Sequence, residues 1–362
     1  MNVAKPRIAW VDAAKGLSIL LVVFLHAQGF SRAHGLHLEV YSSFNNLLLP
    51  IRMPLFFTIS GIFAAGAVKK RWSELLKSKV ALYYYVFVAW SILRWCYFAF
   101  VFENPIYVTE GSAEELLTLW FMPTSGLWFL WVLAIYFPLT KLLGYCSRPV
   151  VILALIATSL MILSDPDVVP FWVLQSLSLY ALFFVGGAWY GRRAIDWLIR
   201  HPALALAGAG AVYVVAGATV QLFENTPAGS VLVPPGRLIL SIAGVPLMCA
   251  AILFACRVGP FCRVMSYLGR NTLPIYVAHQ MILVAITAAV AAAAPLPLVN
   301  VWTVPFATAL AVIASLGLAR ILGTFGDRWL YSSAGLKAAF ARRPMREQPS
   351  LAPDVVVESN RM

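Results

Sequence analysis

Charge is scarce in this chain. Asp, Glu, Lys and Arg make up 12% of 362 residues, against about 25% in a soluble domain. Hydrophobic residues reach 61% and mean hydropathy is +0.82. So little polar material cannot cover a water-facing surface. Soluble enzyme, coiled coil, disordered chain and secreted disulfide scaffold are excluded as readings of the whole. Cysteine is sparse as well: Cys96, Cys146, Cys249, Cys256 and Cys262 are scattered and form no Cys-x-x-Cys pair, which argues against a disulfide framework or a zinc site. The sequence contains no Walker motif and no Gly-x-Ser-x-Gly, and Gly208, Gly210 and Gly217 do not make a dinucleotide fingerprint. Their spacing suits close packing of helices. The first apolar run carries Asp12 and Lys15 and lacks a small-residue cleavage site, so it reads as a retained span and not as a signal peptide.

What the chain does have is long apolar runs. A helix needs roughly 20 such residues to cross the hydrocarbon core. Runs of about that size lie at 9–29, 44–67, 80–102, 126–145, 149–163, 170–190, 203–222, 237–256, 272–293 and 301–322. They are continuous rather than alternating, which argues against a strand barrel. The expected fold is an all-α integral membrane protein, a bundle of about ten transmembrane helices. The fifth run is short enough to be tilted or partly re-entrant.

The basic residues sort by connection. Of the 27 Lys and Arg, all but Arg32, Arg52, Arg94 and Arg237 fall near the termini or in the even-numbered connections. Acids such as Glu39, Glu103, Glu110, Glu114, Glu115, Asp165, Asp167 and Glu224 fall in the odd ones. The positive-inside rule then places both termini in the cytoplasm. The net charge of +12 is a topology signal, and nucleic acid is not expected as a partner. Residues 1–330 read as one membrane domain, and 331–362 as a basic cytoplasmic tail, disordered toward its end.

Ionisable groups inside spans are costly and mark function by default. Asp12, Lys15 and His26 lie on one stripe of the first span; Lys15 and His26 are about 16 Å apart along the axis, and Asp12 and Lys15 have the spacing to pair. Arg52 sits in Ile51-Arg52-Met53-Pro54-Leu55-Phe56-Phe57, where Pro54 and Ser60-Gly61 are able to loosen the helix. Arg94 sits in the middle of the third run. His279 follows Tyr276 by one turn in the ninth, and Trp128 opens the fourth. His34, His37 and His201 fall in loops and receive no role. His26 and His279 lack evident further ligands, so no metal is expected.

Four segments together resemble the acyltransferase-3 family of bacterial inner-membrane O-acyltransferases. They are Val11-Asp12-Ala13-Ala14-Lys15-Gly16 running on to Val22-Val23-Phe24-Leu25-His26; Arg52-Met53-Pro54-Leu55-Phe56-Phe57-Thr58-Ile59-Ser60-Gly61; Leu127-Trp128-Phe129-Leu130; and Leu268-Gly269-Arg270-Asn271-Thr272-Leu273-Pro274-Ile275-Tyr276-Val277-Ala278-His279. Segment 11–26 fits the family's basic residue, ten residues, then histidine. Segment 52–61 most resembles the fucose O-acetyltransferase branch. Two departures stand out: lysine at position 15 where many members have arginine, and a lysine-rich stretch before the third run. No esterase-like domain follows the tenth.

The resemblance implies a multi-pass protein of the bacterial inner membrane. It would move an acyl group, most often acetyl, from acyl-CoA to a hydroxyl of a sugar or cell-surface glycan, in the company of other glycan-synthesis proteins. Such chemistry needs a base, a stabilised oxyanion and a grip on the donor. His26 suits the base. Arg52 or His279 supplies positive charge or a hydrogen bond to the oxyanion. Lys15 with Lys69, Lys70 and Arg71 attracts the acetyl-CoA phosphates, and Trp120 and Trp128 are candidates for stacking on sugar rings. Direct transfer is preferred over an acyl-histidine relay. The competing reading is a transporter or flippase of a lipid-linked glycan, which would show inverted repeats; none is evident.

Overall fold

The computed structural model describes residues 9–36, 38–123, 126–293, 299–332 and 334. Among them every regular element is helical. In chain order the helices are α1 (Ala9–Ala33), α2 (Glu39–Ala64), the short α3 (Trp72–Leu75), α4 (Ala81–Phe100), α5 (Ala113–Thr118), α6 (Trp128–Leu143), α7 (Arg148–Ser164), α8 (Trp172–Arg200), α9 (Pro202–Phe223), α10 (Gly229–Ala255), α11 (Gly259–Arg270), α12 (Thr272–Ala293) and α13 (Val299–Phe325). A π-helical turn, Leu76–Val80, joins α3 to α4.

Each of the ten apolar runs is a helix. Seven of these helices are long and apolar enough to cross a membrane: α1, α2, α8, α9, α10, α12 and Trp302–Leu330. The other three fall short for separate reasons. α6 and α7 have 16 and 17 residues, or about 24–26 Å of rise, less than the roughly 30 Å hydrocarbon core. α4 has 20 residues, but Tyr, Trp and Arg94 dilute its apolarity.

Two pairs of helices meet backbone to backbone, and glycine permits it. A Cβ on Gly16 of α1 would run into the carbonyl of Met265 in α11, and one on Gly269 into that of Asp12. A Cβ on Gly61 of α2 would strike the carbonyl of Phe184 in α8, and one on Gly187 that of Thr58. Small residues at a crossing are how helices approach closely where burial of apolar surface cannot drive them together. The helical run through Pro54 and Ser60-Gly61 is unbroken, so Gly61 serves contact with α8 and not a loosened helix.

The connection after α4 does not form a free loop. Gly111 packs against the backbone of Phe98 and Ala99, the Trp95 indole donates to Ser112 O at 2.7 Å, and Tyr84 Oη donates to Trp120 O at 3.1 Å. The chain therefore runs back along α4 from the level of Phe98 to that of Tyr84, about 21 Å of helix. It then returns to Gly126 in the bundle interior. In the same first half of α4, the carbonyls of Trp329 and Leu330 accept from Tyr85 Oη and the Trp90 indole, both at 2.8 Å. That docks the end of the tenth run onto α4. The proposed tail, 331–362, lies almost wholly outside the described residues.

Candidate functional site

Four helices bring ionisable side chains to one level of the bundle. Matching Phe56 and Tyr276 to Phe129 by their ring contacts, Tyr97 to Met281 by a hydrogen bond and His26 to His279 by their rings, and counting along each axis, puts His26 (α1), Arg52 (α2), Arg94 (α4) and His279 (α12) close to one depth. The rings of His26 and His279 are 5.3 Å apart and inclined at 52°.

The two histidines are held differently. His279 is 1% exposed, and its Nδ1 donates to the carbonyls of Tyr276 at 2.7 Å and Ile275 at 3.1 Å. In the neutral ring that leaves Nε2 as a bare lone pair, and this atom is buried with no hydrogen-bond partner. His26 is half-buried. Gln280 Nε2 lies 3.0 Å from His26 Nε2; an amide nitrogen carries only protons, so it donates, and the ring proton of His26 sits on Nδ1. The Gln280 amide packs against Gly126, and its Oε1 is buried with no hydrogen-bond partner. A Cβ on Gly126 would collide with its amide, and the Gly126 carbonyl accepts from Tyr276 Oη at 2.7 Å. Tyr276 Oη in turn accepts from Phe129 N at 3.2 Å.

Arg94 is balanced. It meets Glu110 through Nη2–Oε2 at 2.7 Å and Nε–Oε1 at 3.1 Å, with both side chains at 2% exposure or less. Asn104 Nδ2 donates to the same carboxylate at 2.6 Å. Arg52 is different. It is 1% exposed and forms no ion pair among the described residues. Its Nη2 donates to Asn45 Oδ1 at 2.7 Å, Asn45 to Gln28 at 3.3 Å, and Gln28 to Ser42 at 3.1 Å. Its Nε has no partner.

Below this level lies a cavity of about 270 Å³. Lys15, Ser60, Phe63 and Lys79 stand at one end, Phe129 and Tyr276 at the other. Lys15 Nζ lies 5.6 Å from the centre of the Phe63 ring. Lys69, Lys70 and Arg71 do not line this cavity. Arg71 pairs with Glu74 at 2.9 Å in the open, and Lys69 faces a separate pocket. Lys79, from the π turn, takes the place beside Lys15 that the pattern of charges assigns to that cluster.

Trp128 packs in an aromatic group with Phe57, Tyr180 and Trp172, its ring tilted or edge-on to theirs with centres 5.8–6.1 Å away. Trp120 is elsewhere, on the outside of α4 near Tyr84, its indole donating to Leu116 O at 3.0 Å. The structure thus gathers His26, Arg52 and His279, sets Trp128 nearby and leaves Trp120 apart. Sequence reasoning missed Gln280, Gly126, Lys79 and the Arg94–Glu110 pair. Adjacency to His279 was the one available signal for Gln280. Among the described residues no cluster of three or more His, Cys, Asp or Glu is placed to hold a metal.

No solved structure matches the chain. The inner membrane protein YcfT of Escherichia coli K12 is 24% identical over 221 residues, which is 55% of this chain and 60% of that protein's length. The acyltransferase domain family, acyltransferase 3, matches residues 8–320. With α1 to α12, most of α13 and the whole histidine level inside that match, this multi-span membrane protein belongs to the acyltransferase-3 family.

Proposed function

We propose that the protein transfers an acyl group, acetyl in the expected case, from acyl-CoA to a hydroxyl of a sugar or glycan. It would do so as a bundle of ten spans in the bacterial inner membrane with both termini in the cytoplasm. The observation that carries the reading is the cavity with Lys15 and Lys79 at the basic end and Tyr276 at the other, one turn from His279 and the Gln280 that holds His26. Lys15 and Lys79 attract the coenzyme A phosphates from the cytoplasmic side. The distance from Lys15 to His26, about 16 Å along α1, is one that an extended pantetheine arm spans. That favours direct transfer over an acyl-histidine relay.

In the reaction the acceptor hydroxyl binds at His26 Nε2, the lone pair that Gln280 otherwise occupies. Its oxygen attacks the thioester carbonyl carbon while His26 takes its proton. The carbonyl oxygen becomes an oxyanion. The released Gln280 N–H is a donor for it, and Arg52 adds positive potential from the same level. The C–S bond then breaks, and the coenzyme A sulfur leaves with the proton held by His26. His279 offers a lone pair at Nε2, so in this tautomer it serves as an acceptor and not as an oxyanion donor. Trp128 with Tyr180 and Trp172 supplies aromatic faces for a sugar ring.

The test is to supply acetyl-CoA labelled in the acetyl group to membranes holding the protein, with candidate glycans. Labelled glycan is the expected product. Glycan movement across the membrane without label would favour a flippase instead.

A further inference from the structure

A second pocket, of about 310 Å³, lies at the basic end of the bundle where α2, α6, α7 and α8 meet. It shares no lining residue with the cavity of Lys15 and Lys79. Three cations line it, Lys69, Lys141 and Arg148, and no acid does. Arg148 lies with its guanidinium 5.6 Å from the centre of the Trp189 ring. Lys141 Nζ donates to the carbonyls of Lys70 at 2.6 Å and Val68 at 3.2 Å and lies 5.3 Å from the centre of the Trp72 ring. At the floor is Thr140, 1% exposed, whose hydroxyl is buried with no hydrogen-bond partner. Arg148 opens α7, just after Ser147 and before Pro149.

We infer that this pocket binds the phosphate of an anionic membrane lipid. An unpaired buried hydroxyl and three cations without a counter-charge suit a phosphate group. A lipid is favoured over a soluble nucleotide by the surroundings. Tyr145 and Trp189 border the pocket, and the adjoining faces of α6 and α7 leave Leu142, Val150 and Leu153 exposed. Those apolar faces offer a path for acyl chains, while the basic residues sit at headgroup level. Basic pockets between helices on the cytoplasmic side are the usual seat of such headgroups.

The experiment is native mass spectrometry of the purified full chain, titrated in detergent with phosphatidylglycerol or phosphatidylcholine. The expected result is tight retention of one phosphatidylglycerol, at least tenfold over phosphatidylcholine. Preference should fall about fivefold for each charge removed in Lys69→Gln and Arg148→Gln. Thr140→Val, which keeps shape and charge, should also weaken retention, and it stands as the readout if the charge variants do not fold. Coenzyme A added in excess should leave the lipid in place. Equal retention of the two lipids, or retention unchanged in all three variants, overturns the inference. Displacement by coenzyme A overturns the lipid as occupant and makes the pocket part of the donor site.

Discussion

Gln280 and His26, 254 residues apart in sequence, meet at 3.0 Å across the α1–α12 interface, amide nitrogen to ring Nε2. This contact fixes which ring nitrogen of His26 accepts a proton. Gly126, whose carbonyl accepts from Tyr276 Oη, packs against the Gln280 amide from behind.

Gln280 therefore acts through His26 and toward the oxyanion, and its loss should appear in turnover. Gln280→Ala is expected to lower kcat by about 10- to 100-fold, with KM for acyl-CoA changed less than about twofold. Gln280→Glu places a carboxylate beside the imidazole and favours its protonated form. The ascending limb of the pH–rate profile should move to higher pH. A variant with an unmoved profile and a raised donor KM would assign Gln280 to the donor path.

The Arg94–Glu110 pair ties the re-entrant passage to α4. Removing one partner of a buried pair strands the other and costs about 3–5 kcal/mol. Arg94→Met and Glu110→Leu should each lower thermal stability in detergent strongly, and the double variant should lose clearly less than the two together. Additive losses would mean that the two side chains are not coupled.

The donor end separates two sets of cations. Lys15→Ala and Lys79→Ala are each expected to raise KM for acyl-CoA by about 3- to 10-fold, roughly the value of one partly exposed charge, while Arg71→Ala stays within about twofold. Steady-state kinetics with acyl-CoA varied distinguishes them. A larger effect from Arg71 would return the donor site to the connection before α4.

How much of this was legible in the sequence differs by residue. The helical bundle followed from composition and run length, because lipid demands it. His26, Arg52 and His279 were legible because an ionisable group in an apolar run is conspicuous. Gln280 was not, since an uncharged amide beside a histidine carries no cost signal. Lys79 was hidden among five cations between positions 69 and 79, and only the lining of the cavity shows which one turns inward. The segment 103–123 reads as an outer loop from its acids. Glu110 and Glu115 are instead buried, because a partner 16 residues earlier, Arg94, draws the connection back onto α4.

That same segment bears on topology. Val108 is 86% exposed, so a small tag inserted there should be labelled from outside intact cells by an impermeant reagent, whereas one at Glu110 would break the ion pair. A reporter fused after residue 346 should read cytoplasmic. Labelling of Val108 only after permeabilisation would invert the assigned orientation.

Transfer of label from acetyl-CoA to glycan by His26→Ala, measured beside the wild type in membranes holding equal amounts of folded protein, tests the central claim most directly. Proton removal by a positioned base contributes about 10²- to 10⁴-fold. The account predicts a loss of at least that size in kcat, with the protein still inserted and still binding coenzyme A. Labelled product at the wild-type rate would contradict it and remove His26 from the chemistry.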